Sequence, residues 1–181
     1  MAWIRSIGKD EAQGELAAFY ADLQQRRGQI TPILAAQSLD ATALQQHLTL
    51  YQHLLFAPGG LSRPEREIIA VVVSQANGCA YCVHEHAPRL ALYLDDDAEL
   101  DAALQAPERI GDARLRALAL YARKLTQTPA TMAAEDIAAL RAQGLDDAEI
   151  LQATMIAGYF NCINRIAQGL GVDAAPDDAT A

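Results

Sequence analysis

The residues most able to do chemistry lie in one short run, Asn77-Gly78-Cys79-Ala80-Tyr81-Cys82-Val83-His84-Glu85-His86. On a helix, Cys79 and Cys82 are three apart and His86 is four beyond Cys82, so all three share one face. A thiol in the first turn of a helix sits near unpaired backbone N–H groups and the positive end of the helix dipole. There its pKa falls from about 8.5 to about 7 or below. A thiolate attacks a peroxide or a disulfide, and a second thiol nearby can close a disulfide and release the oxidised product. A neighbouring histidine can take the thiol's proton and return it to a leaving oxygen.

Other uses of the same residues stand beside this one. Two buried cysteines can be packing residues without chemistry. Cys79, Cys82 and His86 are also plausible zinc ligands, with His84 or a distant residue as the fourth. Against zinc, no second CxxC or HxxxH occurs in the chain, and His84, two residues from both Cys82 and His86, points to another helix face.

Glu67 is the second candidate. It enters an otherwise apolar helix, EREIIAVVVSQA, with Ala70, Val71 and Ser74 on its side. A partly buried carboxylate has a raised pKa and can serve as a base; the competing expectation is a surface glutamate paired with Arg63 or Arg66. Glu65 and Arg66 read as exposed turn residues.

The elements that must position these groups read as helices almost throughout. Alanine and leucine dominate, aromatics are 6% of the 181 residues, and runs of β-branched residues are rare, a composition that favours helix. Apolar spacing predicts a helix from Asp10 to Arg26, a short one opened by Pro32, and one from Asp40 to about Phe56. Ser62-Arg63-Pro64-Glu65 reads as a capping box with an early proline; the helix it opens is apolar nearly all round and so buried. Asn77-Gly78 breaks it. Further helices run from about Cys79 to Leu94, with Pro88 an irregularity, from Asp95–Asp97 to before Pro107, from Asp112 to Leu125, from Thr131 to Gly144, and from Asp147 to about Leu170. The expected fold is a single all-α bundle of about eight helices with the CxxC at a helix N-terminus. Within one domain spanning 1–181, the reading places a helical extension over about 1–40, a core over about 41–172 and a frayed tail over 173–181.

The net charge of -9 and pI of about 4.8 argue against a nucleic-acid partner. No segment approaches the about 18 apolar residues of a membrane span, and the N-terminus lacks the pattern of a secretory signal. The expected compartment is therefore the cytoplasm, where a close cysteine pair signals redox chemistry or metal rather than a structural disulfide. No cofactor is expected.

Glu67, then Cys79 twelve residues on, Cys82 and finally His86 four beyond Cys82, form a pattern that resembles the active site of alkyl hydroperoxidase D (AhpD)-like proteins of the carboxymuconolactone decarboxylase superfamily. Leu61 to Glu67, Tyr121 to Leu125, and Tyr159 through Asn164-Arg165 to Gly171 are similar to its peroxidase-related subgroup. The likeness covers roughly Phe19 to Val172. It implies a homo-oligomer, commonly a trimer or hexamer, that reduces hydrogen peroxide or alkyl hydroperoxides and is regenerated by a dithiol such as a lipoyl protein. It also implies that Cys82 is the attacking thiol, Cys79 the resolving thiol, and His86 with Glu67 the proton relay. The best-known AhpD proteins have histidine immediately before the second cysteine, where this chain has Tyr81, a hydrogen-bond donor but a poor base; tyrosine looks usual in the subgroup. A general thiol–disulfide oxidoreductase and a carboxymuconolactone decarboxylase-like enzyme are the alternative activities.

Three further readings concern residues outside this pattern. Cys162 is expected as a small core residue. His47 and His53 are expected as surface or satisfied core histidines. Asn161, Asn164, Arg165 and Gln168 form a polar stripe expected to line a pocket or an interface, and Trp3 is expected to anchor the N-terminus.

Overall fold

Four aspartates start helices. Asp40, Asp96, Asp112 and Asp146 each accept the backbone N–H three residues on, at 2.9, 3.0, 2.7 and 2.8 Å, satisfying a donor that the helix itself leaves open. In the computed structural model, which describes residues 2–172, these caps precede four of nine α-helices: α1 (Gly14–Arg27), α2 (Pro32–Ala35), α3 (Ala41–Phe56), α4 (Arg63–Ala76), α5 (Ala80–Ala91), α6 (Asp97–Gln105), α7 (Ala113–Gln127), α8 (Ala134–Ala142) and α9 (Asp147–Gly169). Short 3-10 turns cover 107–109 and 129–131, and no strand occurs among the described residues. The fold is the expected all-α bundle. The expected tail, 173–181, lies outside the described residues. The helix expected at Thr131 begins instead at Ala134, because Pro129 to Thr131 form a 3-10 turn.

α4 is the central helix. It packs against α5, α7 and α9, and Ile68 through Ser74 are all buried. Each buried isoleucine or valine contributes about 1.5–3 kcal/mol from apolar burial, which accounts for its place at the centre. The expectation that Glu65 and Arg66 are exposed is overturned, since both are buried. Glu65 accepts the Ser62 N–H and hydroxyl, each at 2.6 Å, and pairs with Arg114. Arg66 donates to the carbonyls of Leu61, at 2.6 Å, and Ala57, at 2.8 Å, folding the 57–61 loop back over the helix start. Both charges are buried because each finds partners that replace water.

Two smaller apolar clusters matter for the site. One joins α1, α2 and α3 through Leu16, Tyr20, Leu23, Leu34, Leu44 and Leu48. The other surrounds the cysteine pair with Ala36, Tyr81, Ala167 and Val172. Trp3 is 77% exposed, yet its backbone N–H donates to the Leu170 carbonyl at 2.7 Å and its ring lies against Gly171, where a Cβ would collide with it. No helix among the described residues is long and apolar enough to cross a membrane.

Candidate active site

The turn that delivers the cysteines is held by its neighbours. Gly78 adopts φ +65°, a conformation that costs other residues energy. The Cys79 N–H bonds the Ser74 carbonyl at 2.9 Å. From α9, Asn161 and Asn164 accept the Asn77 side-chain amide at 3.1 and 2.9 Å, and Gln168 donates to the Asn77 carbonyl at 2.8 Å. The polar stripe on α9 is therefore a clasp on the α4–α5 turn. Asn164 also donates to the Ser74 hydroxyl at 3.1 Å and favours the anionic form of Cys82 by hydrogen bonding.

Cys79 is the N-cap residue of α5, and Cys82, rather than Cys79, lies within its first turn. Both thiols are free and buried, 2% and 4% exposed, with their sulfurs 2.9 Å apart. The two share a proton, so the pair titrates as a unit. The hydrogen bond from Cys82 lowers Cys79 to about 7 against the opposing effect of burial, with help from the Cys82 backbone N–H. Cys82 moves upward, first because it donates to Cys79 and then because it is buried. The unit thus loses its first proton near neutral pH and holds the second.

Glu67 is wholly buried on α4, and its Oε2 meets His86 Nδ1 at 2.6 Å. Arg63, one turn earlier, pairs with its other oxygen. The expected raised pKa is overturned. Burial alone pushes Glu67 up, but the hydrogen bond and charge of His86 and the charge of Arg63 outweigh it, and the net shift is downward. The alternative is half right: Glu67 pairs with Arg63, whose side chain is 22% exposed, but Glu67 itself is buried rather than at the surface. An ionised carboxylate only accepts hydrogen bonds, so Nδ1 of His86 carries the hydrogen. In the neutral ring Nε2 is then the basic nitrogen.

His86 and Cys82, one turn apart on α5, both line a cavity of about 70 Å³, and Cys79 does not line it. Its other walls come from Thr31, Ile33 and Leu34 of the α2 region, Tyr51 of α3, and Tyr159 and Phe160 of α9. His47 also lines it, its Nε2 2.6 Å from the Tyr159 hydroxyl. Burial pushes His47 down to about 4, so it is neutral. Sequence reasoning left His47 and Tyr51 outside the site and placed Asn164 only in a polar stripe expected to line a pocket or an interface. Their partners lie about a hundred residues away in the chain, and no local spacing records that.

The remaining candidates are dispersed. His84 and His53 are exposed. Cys162 is exposed on α9, not in the core, because it shares the face of Arg165 rather than that of Ile163 and Asn164. Among the described residues, no three His, Cys, Asp or Glu side chains converge as a metal-binding group.

Fold and site together define an all-α protein with a buried dithiol at a helix start, backed by a histidine–carboxylate pair. Residues 42–124 match the carboxymuconolactone decarboxylase family, and the chain shares the fold of AhpD-like proteins. It is similar to a peroxidase-related protein of Silicibacter sp. TM1040, with 28% identity over 90% of this chain and 85% of that one and a TM-score of 0.80. A second neighbour is an AhpD-core, peroxidase-related protein of Ralstonia eutropha JMP134, at 23% identity, 98% and 93% coverage and a TM-score of 0.84. The debrominase Bmp8, in a cysteine-to-alanine variant bound to 2,3,4-tribromopyrrole, shares the fold at 15% identity, 96% and 92% coverage and a TM-score of 0.79. A search of curated proteins finds no match.

Proposed function

We propose that this protein is a thiol-dependent peroxidase that reduces hydrogen peroxide or organic hydroperoxides through Cys82 and Cys79. The observation that carries the reading is the placement of Cys82 on the cavity wall one helical turn from His86, whose far nitrogen is held by Glu67. The family and its peroxidase-related neighbours point the same way.

In the first step His86 Nε2 takes one proton from the thiol pair, and Glu67 stabilises the resulting imidazolium. Transfer of the remaining proton from Cys82 to Cys79, across 2.9 Å, puts the negative charge on the sulfur that faces the cavity. That sulfur attacks the terminal oxygen of R–O–OH: an S–O bond forms, the O–O bond breaks, and the departing alkoxide takes the proton from His86 as R–OH. The Cys79 sulfur then attacks the Cys82 sulfenic acid. An S–S bond forms, the S–O bond breaks, and hydroxide leaves with the Cys79 proton as water. An external dithiol, such as a lipoyl group on a partner protein, reduces the disulfide by exchange and is itself oxidised. A slender arm of that kind can reach sulfurs that are only 2% and 4% exposed, whereas a disulfide fixed in a protein surface cannot. The same burial weighs against general thiol–disulfide exchange with proteins. A decarboxylase reading rests on the family description alone, and no feature of the site favours it. A homo-oligomer acting in the reducing cytoplasm completes the reading.

The test is an anaerobic count of free thiols before and after one equivalent of hydroperoxide. Two thiols are expected to disappear in the native protein and none in Cys82→Ser. An unchanged count in the native protein sinks the proposal.

A further inference from the structure

α9 turns one face to the interior and the opposite face to solvent. Phe160 and Asn164 are buried on the inner face. On the outer face Leu151 and Met155 are 59% and 43% exposed, and Gly158 and Cys162 continue the line, both exposed. Steps of four, three and four residues place these four on one stripe of the helix. Asp147 and Arg165, also exposed, end the stripe with opposite charges. α3 runs beside α9 in the opposite direction, with His47 at Tyr159 and the Leu54 carbonyl at Gln152. Leu50, exposed on α3, falls between those two contacts and so lies level with Met155. An apolar face two helices wide is thus presented to water, and such a face marks a contact surface.

Gly158 identifies what covers it. A glycine in the middle of a helix costs stability relative to alanine. A Cβ at Gly158 would meet nothing within 4 Å, so packing within the chain does not call for glycine. The close approach of a second helix does. The stripe is also complementary to itself in one arrangement. When it is laid antiparallel on a second copy, with a two-fold axis between Met155 and Gly158, each Met155 reaches the space over the partner's Gly158. Leu151 then meets the partner's Cys162, and Arg165 comes beside the partner's Asp147. Parallel pairing instead stacks glycine on glycine, leaving a gap, and sets arginine against arginine. Antiparallel pairing centred on Gly158 sets Arg165 against Leu151. The first arrangement fills the gap and pairs the charges, and its two-fold symmetry closes the contact at two copies.

We propose that two copies of this chain associate through α9, antiparallel about a two-fold axis between Met155 and Gly158. This assigns the interface of the homo-oligomer named in the functional reading, and it holds whether or not the protein turns over peroxide. Because Phe160 and Asn164 sit on the inner face of the same helix, the interface braces both the cavity wall and the clasp on the dithiol turn.

The test reads assembly and register apart from activity. In sedimentation equilibrium at tens of micromolar, the full-length native protein is expected to be a dimer or a larger assembly with an even number of copies. Gly158→Leu is expected to reduce that mass by half or more. Leucine favours helix and its Cβ enters open space, so unchanged helical circular dichroism separates lost association from unfolding. Leu151→Cys is expected to give a disulfide-linked dimer under copper–phenanthroline oxidation, and to lose it when Cys162→Ala is added. In the native protein the two Cys162 residues lie about 16 Å apart along the helix axis, at 1.5 Å per residue, and no linked dimer is expected. A monomeric native protein overturns the proposal and leaves the stripe to a different partner. A Gly158→Leu protein of undiminished mass overturns it as well, as does a Leu151→Cys protein that fails to cross-link or a native protein that cross-links through Cys162. Loss of the peroxidase reading with all these results intact leaves the interface standing.

Discussion

Glu67 and His86 come from adjacent antiparallel helices and meet at 2.6 Å in the interior, with Glu67 wholly buried. The pair sets the tautomer of His86 and supplies the negative charge that an imidazolium next to the thiols needs. Replacing Glu67 with Gln removes that charge and leaves Arg63 facing a neutral amide. A fall in kcat/KM of about 10–100-fold is expected, with a loss of about 3 kcal/mol in urea unfolding because a buried ion loses its partner.

The same carboxylate makes stability depend on pH in a defined direction. Its folded pKa is depressed, so its contribution is fully present above its unfolded value of about 4.3 and is lost as pH falls through the lower, folded value. Urea midpoints of the native protein and Glu67→Gln are expected to differ most near neutral pH and to converge below about pH 4. A gap that stays constant with falling pH contradicts the depressed pKa.

The thiol pair is expected to gain thiolate absorbance at 240 nm with an apparent pKa of about 7, and hydroperoxide-driven thiol loss is expected to rise through the same pH range. The shift depends first on the S–H that Cys82 donates to Cys79. In Cys82→Ala combined with Cys162→Ala, which leaves Cys79 as the one thiol, it is expected to titrate higher, near the ordinary value of about 8.5. A Cys79 that still titrates near 7 in this variant would assign the shift to the helix start alone.

Division of labour between the sulfurs is readable by trapping. Cys79→Ser is expected to stop after one turnover with a sulfenic acid on Cys82, detected by mass spectrometry as a dimedone adduct. Cys82→Ser is expected to give no adduct. An adduct on Cys79 in the second variant reverses the two roles.

Asn164 ties the site to α9 through Asn77 and Ser74. Asn164→Ala leaves buried partners unsatisfied, and a loss of about 2–3 kcal/mol is expected, measured by thermal unfolding. A change below about 0.5 kcal/mol would mean that the turn holds without its clasp.

Local pattern made the helices legible. Asp40, Asp112 and Asp146 cap helices at the positions their spacing indicates, because a cap is a contact between residues three apart. The cysteine–histidine face is legible for the same reason. Burial of charge was misread: Glu65 and Arg66 look like surface residues until Arg114 and the 57–61 loop are brought to them. Glu67 is buried, as its place in an apolar helix suggests, but its pKa shifts in the opposite direction to the one burial alone would give.

The sequence by itself determined the helical elements, the break at Asn77-Gly78, and a dithiol with histidine on one helix face. These depend on interactions within a turn or two of the chain. Tertiary structure alone decided that Glu67 is an anion rather than a raised-pKa acid, and that Cys82 rather than Cys79 faces the cavity. It also decided that His47, Tyr51 and Tyr159 enclose the space beside Cys82. Each of these turns on which distant side chain replaces water around a buried group, and that partner is set only when the helices dock.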